Sequence, residues 1–106
     1  MRLDRIERKE DVLIDVIECA DQPELNDTSL ACQTVDVSEN GMKVSTRMPI
    51  PVNTVLSLRL DLSSHLYRLQ GEVRWARDEG RHYVGLLLDR ESQDIGEWDK
   101  MFELDF

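Results

Sequence analysis

The sequence predicts a small antiparallel β protein, rolled or closed into a barrel and finished by one helix. Three observations carry this. Turn-forming residues recur about every ten positions, a spacing that suits short strands. Residues 55–62 and 67–76 alternate apolar and polar with period two, as half-buried strands do. Near the end the period changes, and Ile95, Trp98 and Phe102 fall on one stripe of a helix.

Val12 to Ile17 is rich in β-branched residues and reads as the first strand. The polar, Pro-containing stretch 21–27 is a loop. Ser29 to Val37 is the second strand and Met42 to Ser45 the third. Between them Ser38-Glu39-Asn40-Gly41 makes a turn, where Asn40 and Gly41 both tolerate positive φ. Residues 48–53 hold two prolines that cannot donate to a ladder, so they form a connection. Leu56, Leu58, Leu60 and Leu62 line one face of the fourth strand. Tyr67, Leu69, Gly71, Val73 and Trp75 line one face of the fifth. Residues 77–81 turn the chain into the sixth strand, His82 to Leu88, so the last two strands pair as a hairpin. The helix is expected to pack its apolar stripe on the sheet, with Asp89 or Ser92 as its cap. Closing six strands into a barrel removes exposed edges.

A length of 106 residues suits one domain. Hydrophobic residues at 41% and charged residues at 33% fit an ordinary globular chain rather than a disordered one. No apolar run reaches the roughly 18 residues a membrane span needs, and the N-terminus shows no apolar leader. The expected location is therefore the cytoplasm, without membrane insertion. The net charge of −9 disfavours DNA, RNA and anionic membranes as partners. Against that background residues 1–9 carry Arg2, Arg5, Arg8 and Lys9 beside Asp4 and Glu7, a local +2. A basic tip on an acidic body suits a small anion, although from charge alone a solvated, frayed terminus is the commoner reading.

Cys19 and Cys32 lack histidines at metal-binding spacing, so no metal is expected and both read as buried apolar residues. No P-loop, GxGxxG, nucleophile elbow or HExxH occurs. Ser63-Ser64-His65 has no carboxylate to orient the histidine. The chain is expected to bind rather than catalyse, without a cofactor.

Asp36-Val37-Ser38-Glu39-Asn40-Gly41 spells D-x-S-x-x-G between two strands. A basic segment precedes it; Gly71-Glu72-Val73-Arg74-Trp75, then Gly85 to Leu88, then a closing helix follow it. This order resembles the PilZ domain family over essentially the whole chain. The resemblance implies a single domain over 1–106: a basic arm at 1–10, a six-stranded antiparallel β-barrel at 11–89 and a helix at 90–103. Many members bind the bacterial second messenger cyclic di-GMP through an R-x-x-x-R arm and a (D/N)-x-S-x-x-G turn. Carried onto this chain, the ligand-binding residues are Arg5, Arg8, Lys9, Asp36, Ser38 and Gly41.

The chemistry is apt. Arginine forks onto phosphate or onto guanine O6 and N7. Asp36 accepts from guanine N1 and N2, Ser38 adds a hydroxyl, and Gly41 permits a backbone geometry that a side chain would block. The same Asp, Ser and Gly also make an Asx-type turn that stabilises a hairpin without any ligand. The arm departs from the family pattern. Arg2, Arg5 and Arg8 are three apart, so Arg5 has Lys9 in the second place and Arg8 has Val12. Two functions follow from the resemblance. One is a cyclic di-GMP receptor relaying messenger level to a protein partner. The other is a motility- or pilus-related adaptor that does not bind the nucleotide.

Overall fold

The computed structural model describes residues 6–62 and 64–103. In chain order it holds β1 (Ile6–Glu7), β2 (Asp11–Glu18), a 3-10 turn (Pro23–Leu25), β3 (Ser29–Ser38) and β4 (Gly41–Thr46). Then come β5 (Val55–Leu62), β6 (His65–Asp78), β7 (His82–Leu88) and α1 (Ile95–Lys100). The sheet order is β1-β3-β2-β5-β6-β7-β4, and a further pairing of β3 with β4 closes it. Every pairing is antiparallel. Six strands thus form the expected closed barrel, and the two-residue β1 is added beside β3.

Alternation builds the core. Leu56, Leu58 and Leu60 are fully buried and Leu62 nearly so, facing Val12, Ile14 and Val16 from β2 and Leu69 and Val73 from β6. Each such side chain contributes about 1.5–3 kcal/mol of burial. Cys19 and Cys32 are buried and unpaired.

The helix is shorter than the expected 90–103 because residues 89–94 have other work. β7 leaves β6 after the Leu88–Gly71 pair, exposing backbone groups on the β6 edge. Asp89 N donates to Gln70 O at 2.7 Å. Ser92 Oγ accepts from Gln70 N at 2.9 Å, and Asp94 Oδ2 accepts from Arg68 N at 2.7 Å. This strap satisfies donors and acceptors that would otherwise be open. Neither Asp89 nor Ser92 is therefore the cap. Asp94 takes that position and makes no capping bond through its side chain. The stripe packs as expected: Trp98 and Phe102 are fully buried, edge-on to each other at 5.5 Å, and Tyr67 meets Trp98 at 5.4 Å.

Candidate functional site

Two β-bulges aim the side chains of this face. On β3, Thr34 and Val37 both point into the core, although strict alternation would oppose them. The register shifts between Thr34 and Asp36, which turns Asp36 outward, level with Lys43 on β4 and Glu7 on β1. Without that extra residue Asp36 would share the buried face of Thr34. A second shift lies between Val73 and Trp75. Trp75 is thereby level with Gly85, whose neighbours Val84 and Leu86 are core residues. A Cβ on Gly85 would collide with the indole, so the ring lies flat on the outside of β7. The expected inward set Tyr67 to Trp75 thus ends at Val73, and Trp75 belongs to the outer surface.

The hairpin turn is held from behind. Ser38 Oγ donates to Gly41 O at 3.2 Å. The Trp98 indole N–H donates to Ser38 O at 3.1 Å, and Leu88 N donates to Asn40 O at 2.8 Å. Arg90 reaches Glu39 O at 3.4 Å and Asn40 Oδ1 at 3.3 Å while its fork clasps both carboxylate oxygens of Asp99. The reason for glycine at position 41 differs from the expected one. Among the described residues positive φ occurs at Asp27, Asn53, Ser64 and Gly80, not at Asn40 or Gly41. Gly41 is required instead because a Cβ there would strike the Leu86 carbonyl oxygen.

The basic arm is tied to the same side. Thr34, almost fully buried, is the anchor: its Oγ1 donates to Arg8 O at 2.5 Å and accepts from Glu10 N at 3.0 Å. Thr34 N donates to Glu10 O at 2.9 Å, and Arg8 N donates to Val35 O at 3.0 Å. Arg8 pairs through Nε with Glu10 at 3.1 Å. Lys9 is exposed and borders a shallow cleft of about 300 Å³ with Lys43, Arg81 and Tyr83. A neighbouring hollow of about 250 Å³ is bordered by Ser38, Gly41, Lys43, Arg74 and Trp75. Five of the six candidate residues, Arg8, Lys9, Asp36, Ser38 and Gly41, therefore gather on one side of the barrel. Arg5 lies outside the described residues. Val12, the position four after Arg8, is 2% exposed and belongs to the core.

Sequence reasoning missed four residues of this face. Lys43 sits between the two hollows, its Nζ 4.9 Å from the centre of the Tyr83 ring. Arg77 lies 5.0 Å over Trp75. The outward phase of β4 was readable for Lys43, two residues after Gly41. Nothing local marked Trp75, whose side depends on the bulge. These residues also organise the charge. Arg59, Arg74 and Lys100 pair with carboxylates, as do Arg8 and Arg90. Among the described residues, the cations without such a partner are Lys9, Lys43, Arg47, Arg77, Arg81 and Arg68. All but Arg68 lie toward β4, β7 and the β6–β7 turn. Among the described residues, five of the six cations without a carboxylate partner thus lie toward the side of the barrel that carries Asp36 and Ser38, in a chain of net charge −9. Cations beside flat aromatic surfaces, an outward carboxylate and a hydroxyl suit a planar, phosphate-bearing ligand. Among the described residues no His, Cys, Asp and Glu cluster could hold a metal ion, and no helix is long and apolar enough to cross a membrane.

Residues 16–97 match the PilZ domain family. Among solved structures, the Bacillus subtilis inhibitor of motility MotI/DgrA superposes with a TM-score of 0.70 at 14% identity. That match covers 92% of this chain and 47% of the other, so the chain spans about half the length of that protein. The PilZ domain of CeSA from a cellulose-synthesizing bacterium superposes with a TM-score of 0.63 at 19% identity, covering 94% of this chain and 95% of that one. At these identities the likeness is one of fold. No curated protein matches in sequence.

Proposed function

Since the chain belongs to the PilZ domain family, we propose that it is a cyclic di-GMP receptor module that relays the messenger to a protein partner by binding alone. The single observation behind this reading is the anchoring of the arm at Thr34, beside the bulge that turns Asp36 outward. In this reading Asp36 accepts the N1 and N2 donors of one guanine, and Ser38 adds a hydroxyl contact. Lys9 and Lys43 meet the phosphates. Arg8 exchanges its contact with Glu10 for the ligand. A purine stacks on the outer face of Trp75 or Tyr83 by displacing Arg77 or Lys43, which lie over those rings. Arg5 completes the arm from outside the described residues. The protein partner and the cytoplasmic setting belong to the same proposal.

Titration calorimetry with cyclic di-GMP tests it. Saturable binding in the micromolar range is expected. Asp36→Ala, which removes an outward carboxylate and leaves the ladder intact, should weaken it at least tenfold. Absence of heat at tens of micromolar protein, about the range of a modest site, rules the reading out.

One observation favours a second reading, an adaptor that acts on its partner without the nucleotide. Val12 occupies the place where an arginine four after Arg8 would stand, and it is buried. A partner whose affinity is unchanged by saturating cyclic di-GMP would select this reading.

A further inference from the structure

The barrel seam forks. β3 and β4 pair from Ser38–Gly41 only as far as Gln33–Ser45. Beyond that point β3 stays paired with β2 alone, with Cys32 level with Val12, and β4 with β7 alone, with Thr46 level with His82. The parting strands leave a cleft of about 590 Å³. Its floor includes Ala31, Cys32 and Thr46, and its rim carries Arg47, Arg81 and His82. We propose that this cleft is a second anion site, taking a phosphate-bearing small molecule of nucleotide size between Arg47 and Arg81. The proposal does not rest on binding of cyclic di-GMP at Asp36.

Four observations carry it. Arg47 follows Thr46 and Arg81 precedes His82, so both stand one step past the last rung of the β4–β7 ladder, and both line the cleft. Like charges brought to one site repel each other. Neither guanidinium has a carboxylate or hydrogen-bond partner among the described residues, in a chain with 22 acidic side chains against 13 basic ones. The lone carboxylate of the lining, Asp11, is contacted by the Gln33 amide at 3.4 Å. Two uncompensated arginines lining one cleft are the arrangement that a bridging oxyanion relieves, through the forked geometry arginine offers phosphate.

The floor is neutral. Thr46 Oγ1 donates to Met48 O at 2.7 Å. Burial pushes the Cys32 thiol up to about 11, against the opposing pull of Arg47, so it stays protonated and does not repel an anion. Finally, the volume lies within the roughly 300–1,000 Å³ typical of small-molecule sites and exceeds what one bare phosphate fills. His82, with Nδ1 3.9 Å from Asp78, adds a donor at the rim.

The test is an amide NMR titration of the full chain in phosphate-free buffer, using pyrophosphate, adenosine monophosphate and adenosine as probes. The two phosphorylated probes should shift Ser45, Arg81 and His82 saturably below about 1 mM, and adenosine should not. The double variant Arg47→Gln, Arg81→Gln should lose at least tenfold in affinity. It should keep a dispersed spectrum, since it removes a repulsion. Asp36→Ala should bind these probes as the wild type does, whatever it does to cyclic di-GMP. Shifts that fail to saturate, binding retained in the double variant, or shifts confined to Lys9, Asp36 and Ser38 would each overturn the proposal. So would a glutamate-rich peptide that saturates the cleft at lower concentration than the nucleotide, because the site would then be one for protein.

Discussion

Replacing Trp98 by Phe separates the packing of the closing helix from its grip on the ligand turn. Trp98 is fully buried, and its indole N–H is the hydrogen-bond donor that reaches Ser38 O, at 3.1 Å. Phe keeps an aromatic ring between Tyr67 and Phe102 but removes the second bond to that carbonyl, which the Ser38–Gly41 pair of the hairpin still serves. Losing one hydrogen bond whose acceptor keeps another partner costs about 0.5–1.5 kcal/mol. The lost ring volume adds about 1 kcal/mol at a site so tightly enclosed. The expected loss is thus about 1.5–2.5 kcal/mol, which at roughly 4 °C per kcal/mol for a domain of this size lowers Tm by about 6–10 °C. Trp98→Ala forfeits the packing as well, about 3–5 kcal/mol or more. Thermal and urea denaturation followed by circular dichroism measure both. A Phe variant within 0.5 kcal/mol of the wild type would show that the Ser38 bond contributes nothing, and the proposed support of the turn from behind would fall with it.

Two further outcomes are expected. Thr34→Val removes the hydroxyl that holds Arg8 and Glu10. Amide exchange at Glu10 should speed up at least tenfold, and the affinity for cyclic di-GMP should drop while the barrel stays folded. Exchange and affinity both unchanged would remove the anchor from the account. Cys32 gives a pH signature. Its thiol is raised from 9.0 to about 11, chiefly by burial. A raised folded-state value means the stabilisation is complete below pH 9 and is lost as pH rises toward 11. Stability should therefore decline over that interval in the wild type and decline less in Cys32→Ala, as urea titrations at pH 8, 9.5 and 11 would show; equal slopes refute it.

The strands and the helix stripe were legible in the sequence because both depend on local period. Leu56 to Leu62 and Ile95, Trp98 and Phe102 declare their buried sides without knowledge of neighbours. The D-x-S-x-x-G turn was legible as a motif, but its glycine was misread as a conformational need. The obstruction at Gly41 comes from Leu86, 45 positions away in the chain. The bulges were not legible either, since an inserted residue leaves composition and hydropathy unchanged while reversing every later side chain on that strand. Asp36 and Trp75 owe their outward aim to that reversal. The segment 89–94 reads as a helix start because Asp and Ser favour caps, yet the uncovered edge of β6 claims those groups first. The clustering of unpaired cations emerges only when β4 and the β6–β7 turn meet.

β3 and β4 are consecutive in the chain yet stand apart in the linear order of the sheet until they pair with each other. Their hairpin is accordingly the clasp that turns a ribbon into a cylinder, and the proposed ligand groups ride on that clasp. Substitutions that prune only outward side chains, such as Asp36 or Lys43, leave it fastened. A change that disturbs its main chain, at Gly41 or in the Glu39-Asn40 bend, unfastens the cylinder and abolishes recognition by the same act. A ligand drawing the arm, β3 and β4 together pulls the other way and should make the whole domain harder to melt, by RT ln(1 + [L]/Kd).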